Sequence, residues 1–173
     1  MQITGGALKS RKLQSPKGDN VRPTLSQIRE SVFSILWNLV DFEEASFLDA
    51  FAGSGIMGFE AISRGFKSVS FIEKDRNTYN LLKTNASTLN VSADFYFGDT
   101  IKVLKKIDKS FDVIYIDPPY LNGLYEKALG NIKITSGGYI ILEHLKETDI
   151  DFAPYKLIKQ KIYGQKVLTI LQE

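Results

Sequence analysis

The chain has 173 residues, of which 43% are hydrophobic and 24% charged, with no cysteine, a composition that suits one globular domain and excludes a disulfide-stapled scaffold. No apolar run approaches the roughly 18 residues a bilayer span needs, and Met1-Gln2-Ile3-Thr4-Gly5-Gly6 opens without a basic region leading into an apolar stretch, so the expectation is a cytoplasmic protein with no membrane partner. The net charge of +2 is uneven: residues 1 to 30 hold six bases and two acids, and a basic segment on a near-neutral body suits phosphate binding.

In chain order, Gly5, Gly6, Pro16, Gly18 and Pro23 punctuate short segments around Ile3 and Leu13, which predicts a small hairpin arm. Ser26 to Val40 follows, with Ile28, Val32, Phe33, Ile35, Leu36 and Leu39 at helical spacing and Trp37 read as core. Residues 1 to 44 are thus expected to form a basic arm and helix suited to phosphate binding, and residues 45 to 173 a separate α/β domain.

From Ala45 onward, short β-branched or aromatic runs alternate with helical patterns, which argues for βαβ units and a mainly parallel sheet. The expected strands are Phe47 to Phe51, Ser68 to Glu73, Asp94 to Phe97, Asp112 to Ile116, Gly138 to Glu143, Tyr155 to Lys161 and Lys166 to Leu171. The expected helices are Ile56 to Arg64, Arg76 to Leu89, Thr100 to Lys106 and Leu124 to Asn131, with Asp75 and Asp99 as N-caps. The few residues around Gly164-Gln165 predict an antiparallel hairpin of the last two strands, closing one edge.

Two motifs carry chemistry. The first strand runs into Ala52-Gly53-Ser54-Gly55-Ile56-Met57-Gly58 and then a helix; its glycines permit a tight turn and close approach to a ligand. The spacing also satisfies G-x-G-x-x-G, which by itself is weak support for any one cofactor. Glu73 ends the next strand where an acid accepts from ribose hydroxyls. Asp49 discriminates between cofactors, because a carboxylate beside the loop repels a pyrophosphate and suits the cationic amino-acid tail of S-adenosylmethionine. Asp99 follows the third strand and can accept from an adenine amino group.

The second motif is Asp117-Pro118-Pro119-Tyr120, where two prolines halt a strand and leave a carboxylate and an aromatic ring at its carboxyl end. Open α/β sheets bind ligands at that end. Acceptors beside a ring suit a planar, amino-bearing substrate such as a nucleobase. His144, the lone histidine, reads as structural, and Tyr115 and Tyr139 as packing residues; a substrate role for Tyr125 stays open.

Asp49-x-Phe51-x-Gly53-x-Gly55, Glu73, Asp99 and the Asp-Pro-Pro-Tyr turn, in that order, resemble the amino methyltransferases of the Rossmann-like class I. With Ile3-Thr4-Gly5-Gly6, Gly18, Arg22-Pro23-Thr24 and Arg29-Glu30, the whole chain resembles the bacterial RsmD family. The resemblance implies a seven-stranded, mostly parallel sheet with an antiparallel last strand, helices on both faces and a short N-terminal extension. It also implies methylation of the exocyclic N2 of one guanine in 16S ribosomal RNA of the small subunit. The cofactor would be S-adenosylmethionine, held by Asp49, Phe51, Gly53, Gly55, Glu73, Lys74, Asp99 and Thr100. Asp117, Pro118, Pro119 and Tyr120 would be catalytic, and Lys9, Arg11, Lys12, Arg22 and Thr24 would hold RNA. A monomer acting on ribosomal RNA without a metal is expected.

Three other readings compete. A DNA adenine-N6 or cytosine-N4 methyltransferase shares the acceptor turn but needs a target-reading region that the residues after Tyr120 leave no room for. Asp49 and the Asp-Pro-Pro-Tyr turn disfavour an NAD-dependent oxidoreductase. Intact acids at 49, 73, 99 and 117 disfavour a non-catalytic RNA-binding assembly factor.

Overall fold

The computed structural model describes residues 1–15, 26–119 and 123–173. In chain order the elements are α1 (Ser26–Leu36), β1 (Ser46–Asp49), α2 (Ile56–Ser63), β2 (Ser68–Glu73), α3 (Arg76–Leu89), β3 (Asp94–Phe97), α4 (Thr100–Leu104), β4 (Phe111–Ile116), α5 (Leu124–Leu129), β5 (Ile134–Leu145), β6 (Lys156–Tyr163) and β7 (Lys166–Gln172). They build one seven-stranded sheet in the order β3-β2-β1-β4-β5-β7-β6. The first five strands pair in parallel, and β7 runs antiparallel between β5 and β6.

Both faces of the central strands are buried, so these strands read as continuous apolar runs whose residues alternate between two cores. Phe47, Val69, Phe71, Val113, Tyr115, Ile141 and Leu168 face the layer of α1, α2 and α3. Leu48, Ile72, Ile114, Ile116, Ile140 and Leu142 face α4 and α5. Asp75 caps α3 through the Thr78 amide at 2.8 Å and Asp99 caps α4 through the Lys102 amide at 3.0 Å, as the sequence predicts.

The expected N-terminal arm is present as one antiparallel bridge, Gln2 to Lys12, whose Ile3 and Leu13 enter the α1-α2-α3 core. Three backbone and side-chain bonds join its tip to Ser63 at the end of α2. The fully buried Glu60 accepts from the Thr4 amide at 2.6 Å and from Arg29 and Arg64, each at 3.3 Å, which ties the arm, α1 and α2 together.

Some boundaries differ from the sequence reading. Helix α1 ends at Leu36, and Trp37 is 72% exposed instead of core, edge-on to Phe42. Its helical spacing matches the buried face, but the chain leaves the helix there and the indole lies over the rim. Strand β5 starts at Ile134, which already pairs with Phe111, and not at Gly138 as expected; glycines ordinarily weaken a strand, and here the pair Gly137-Gly138 accompanies a register shift within the ladder. Between β5 and β6 the described chain forms turns and loop with no helix.

Candidate active site

The alternation that buries Phe47, Phe71, Tyr115 and Ile141 on one face also governs the residues two positions further on. Asp49, Glu73, Asp117 and Glu143 therefore project from the carboxyl ends of β1, β2, β4 and β5 on the α1-α2-α3 side. In sheet order they form a row, Glu73, Asp49, Asp117, Glu143, and the row is closed by Lys166 at the start of β7.

Asp49 is buried and accepts from the amide of Gly58 at 3.1 Å. Gly58 is the third residue of α2, so the carboxyl group fills the helix N-terminus, where a dinucleotide fold would seat its pyrophosphate. A carboxylate there repels phosphate and attracts a cation. Burial pushes the Asp49 pKa up to about 7; the Gly58 hydrogen bond opposes this and the Glu73 charge adds to it.

The glycine loop separates into roles. Gly53 has φ 52° and open space where a side chain would project, and its amide donates to Glu73 at 2.8 Å. Gly55 has φ 78°, and a Cβ there would lie 2.3 Å from Leu82. At Gly58 a Cβ would lie 2.2 Å from the Phe71 ring, so this glycine serves helix-sheet packing. The other Glu73 oxygen accepts from the Asp75 amide at 2.7 Å. Two backbone donors fix this carboxylate while leaving it acceptor capacity for a vicinal diol.

At the end of β4, Asp117 is half-buried, Pro118 buried and Pro119 exposed. Withdrawal from water raises the Asp117 pKa to about 8, the Glu143 charge adds to the rise, Lys166 opposes it and Asp49 adds a smaller contribution. Glu143 itself is buried; one oxygen accepts from the Tyr115 hydroxyl and the other from the Lys166 ammonium. Tyr125 donates to the Glu143 backbone carbonyl at 2.7 Å.

The structure thus brings Asp49, Gly53, Gly55, Glu73 and Asp117 together. Phe51 is half-buried against the α4-α5 core, Lys74 is exposed, and the Thr100 hydroxyl donates to the Ala50 carbonyl at 3.0 Å, which fastens the β3-α4 loop to the end of β1. Asp99 uses Oδ1 for the α4 cap. Lys9, Arg11 and Lys12 are exposed on the arm; its tip is joined to Ser63 and Arg11 to the Thr88 carbonyl, near the carboxyl ends of α2 and α3 and away from the row of acids. Arg22, Thr24 and Tyr120 lie outside the described residues. His144 is structural in its contacts, meeting Thr169 Oγ1 at 2.9 Å and the Leu145 carbonyl at 2.8 Å.

Glu143 and Lys166 are not singled out by the sequence reading. A usable signal existed for Glu143: like Asp49, Glu73 and Asp117, it is an acid ending an apolar run. Lys166 has no such signal, because only the sheet order places β7 beside β5.

The family described as conserved hypothetical protein 95 matches residues 1–172. A relative from Buchnera aphidicola (subsp. Acyrthosiphon pisum), named ribosomal RNA small subunit methyltransferase D, is 36% identical over 94% of this chain and 88% of its own length. The protein of that name from Escherichia coli K12 is 29% identical over 99% of this chain and 89% of its own. Among solved structures, an Escherichia coli protein described as a "putative methyltransferase" superposes with a TM-score of 0.87 at 27% identity, covering 100% of this chain and 97% of that one. A hypothetical protein from Thermus thermophilus superposes with a TM-score of 0.86 at 28% identity, covering 100% and 99%. With the parallel sheet, its reversed β7 and the acids at its strand ends, these likenesses make the chain a class I methyltransferase of the RsmD family.

Proposed function

We propose that the chain transfers a methyl group from S-adenosylmethionine to the exocyclic N2 of a guanine in 16S ribosomal RNA of the small subunit. The observation that carries this reading is the row of acids on one face of adjacent strand ends, with Asp49 filling the N-terminus of α2. That donor set fits a cationic cofactor and is wrong for a pyrophosphate. The names of the relatives, which specify small-subunit ribosomal RNA, support the substrate class.

When bound, S-adenosylmethionine supplies an electrophilic methyl group on a sulfonium. Asp49 would hold the ammonium of its amino-acid tail, Glu73 the ribose hydroxyls and Asp99 the adenine amino group, while the open space at Gly53 lets the chain approach closely. Lys74 lies exposed beside Glu73; Phe51 and Thr100 would act by shaping the loops.

The guanine N2 is a weak nucleophile because its lone pair is delocalised into the ring. The Asp117 carboxylate and the Pro118 carbonyl would accept its hydrogens and turn the lone pair towards the methyl group. As the nitrogen lone pair bonds the methyl group, whose former bonding pair would leave with the sulfur, Asp117 would take the proton that the nitrogen loses. Pro119 holds the turn rigid. Tyr120 would stack on the extruded base, recovering roughly 1–3 kcal/mol of lost stacking. Residues 1 to 44 would be the RNA-binding part and residues 45 to 173 the catalytic part, with Lys9, Arg11, Lys12, Arg22 and Thr24 meeting the RNA backbone.

The test is transfer of labelled methyl groups from S-adenosylmethionine to unmodified small-subunit particles and to the free RNA, with the product nucleoside identified by mass spectrometry. N2-methylguanosine is expected, together with a loss of about 100-fold or more in Asp117→Ala. No transfer, a different methylated nucleoside, or full activity in Asp117→Ala refutes the reading.

A further inference from the structure

We propose that Glu143 and Lys166 are positioning residues for the reaction: from the adjoining ends of β5 and β7 their charges govern how Asp117 serves as the acceptor for the substrate amine. The proposal rests on the methyl-transfer reading above. Its first ground is geometric. Ile116 and Leu142 form the last register pair of β4 and β5, so Asp117 and Glu143 are the next residues along two adjacent parallel strands. Glu143 is held from three sides, by the Tyr115 hydroxyl, the Lys166 ammonium and, through its carbonyl, the Tyr125 hydroxyl.

The second ground is topological. Parallel strands all present the same end to the ligand, whereas β7 runs the other way and begins where they finish, with Lys166 opposite Leu145. The Gly164 turn between β6 and β7 (φ 61°) lets the chain reverse there. The reversed strand therefore delivers an ammonium to the end of a row of carboxylates. The β6-β7 hairpin does more than close an edge of the sheet.

The third ground is charge. Two adjacent carboxylates withdrawn from water resist simultaneous ionisation, and a cation between or beside them relieves that resistance. Asp117 feels Glu143 and Lys166 in opposite directions. The other groups facing this row are Asp49 and Glu73 at the ends of β1 and β2, and Tyr115 on β4. His144 and the Tyr125 ring lie towards the α5 side, Arg29 is engaged by Glu60 on α2, and Lys161 and Tyr163 of β6 reach Ser31 on α1.

The signs follow directly. An ionised Asp117 is the acceptor, so transfer falls as pH drops through its titration. Removing the Glu143 charge lets Asp117 ionise at lower pH; removing the Lys166 charge delays ionisation to higher pH. The test follows Asp117 by 13C carboxyl NMR in the protein and measures the pH dependence of kcat in Glu143→Gln, Lys166→Met and Lys166→Arg. The expected midpoint falls by on the order of one pH unit in Glu143→Gln, rises comparably in Lys166→Met and returns towards wild type in Lys166→Arg. The acidic limb of kcat should move with it, while the KM for the cofactor stays near wild type. Glu143→Gln is nearly isosteric and keeps hydrogen-bonding capacity, so it decides the matter if Lys166→Met does not fold. Midpoints unchanged from wild type, or midpoints that move while the acidic limb does not, overturn the proposal. A wild-type protein that methylates nothing overturns the functional reading instead, and the NMR titrations then still decide whether Glu143 and Lys166 control Asp117.

Discussion

At Asp49 a buried carboxyl group lowers stability at neutral pH, and in the proposed function that same charge would hold the cofactor's ammonium. The carboxyl group is most stable in the fold when protonated, because burial raises its pKa to about 7 from the ordinary 3.8. The folded chain then binds more protons than the unfolded chain between those values, so the Asp49 contribution to stability falls as pH rises from about 4 to about 7. Asp49→Asn keeps an acceptor for the Gly58 amide and removes the buried charge. The ligand-free variant should be about 4 kcal/mol more stable than wild type at pH 8, with a difference that shrinks towards pH 4. Thermal melts across that range, with a gain of roughly 8–16 °C at pH 8, are the check. The same substitution should weaken cofactor binding by at least 10-fold at pH 8, measured by calorimetry, since an amide does not attract an ammonium as a carboxylate does. In the wild type, affinity should decline as pH falls through about 7; in the variant it should stay flat.

At the scale of elements, close approach and a buried ionic junction hold the parts in register. Helix α2 lies against β2 through Gly58, and Gly58→Ala would drive a methyl group into the Phe71 ring. Alanine is ordinarily the better helix former by about 1 kcal/mol, so the sign is diagnostic. Urea denaturation should show a net loss of about 1–3 kcal/mol from overpacking, and a gain would mean that α2 can retreat from the sheet. The junction of Arg29, Glu60 and Arg64 unites α1, α2 and the arm. Arg29→Ala leaves the buried Glu60 carboxylate short of a partner and should cost about 3–5 kcal/mol. Hydrogen exchange should show the loss concentrated in residues 1–15 and α1, the parts that Glu60 ties down; uniform loss over the sheet would contradict that mechanism.

For the whole molecule, the sheet order and the reversed last strand decide which side chains meet. The sequence announces the β-α alternation, both aspartate caps and the glycine loop, because each is written in local periodicity or in the conformational limits of glycine and proline. It also marks Asp49, Glu73 and Asp117 as acids at strand ends. Trp37 shows the limit of such reasoning, since helical spacing does not reveal where the helix stops. Glu143 was legible by the rule that found the other acids, since it ends the expected strand Gly138 to Glu143, but no glycine loop or proline turn beside it marks it out.

What the amino-acid sequence determined by itself is therefore the class of fold and the presence of acidic strand ends beside a glycine loop. What only the tertiary structure decided is their company. Asp49 occupies the helix position a phosphate would need, four acids line up across adjacent strands, and Lys166 arrives from a strand that runs the other way. The physical reason is that periodicity reports which face of a segment is apolar, whereas adjacency depends on the order in which distant strands pair, and no local pattern encodes that order.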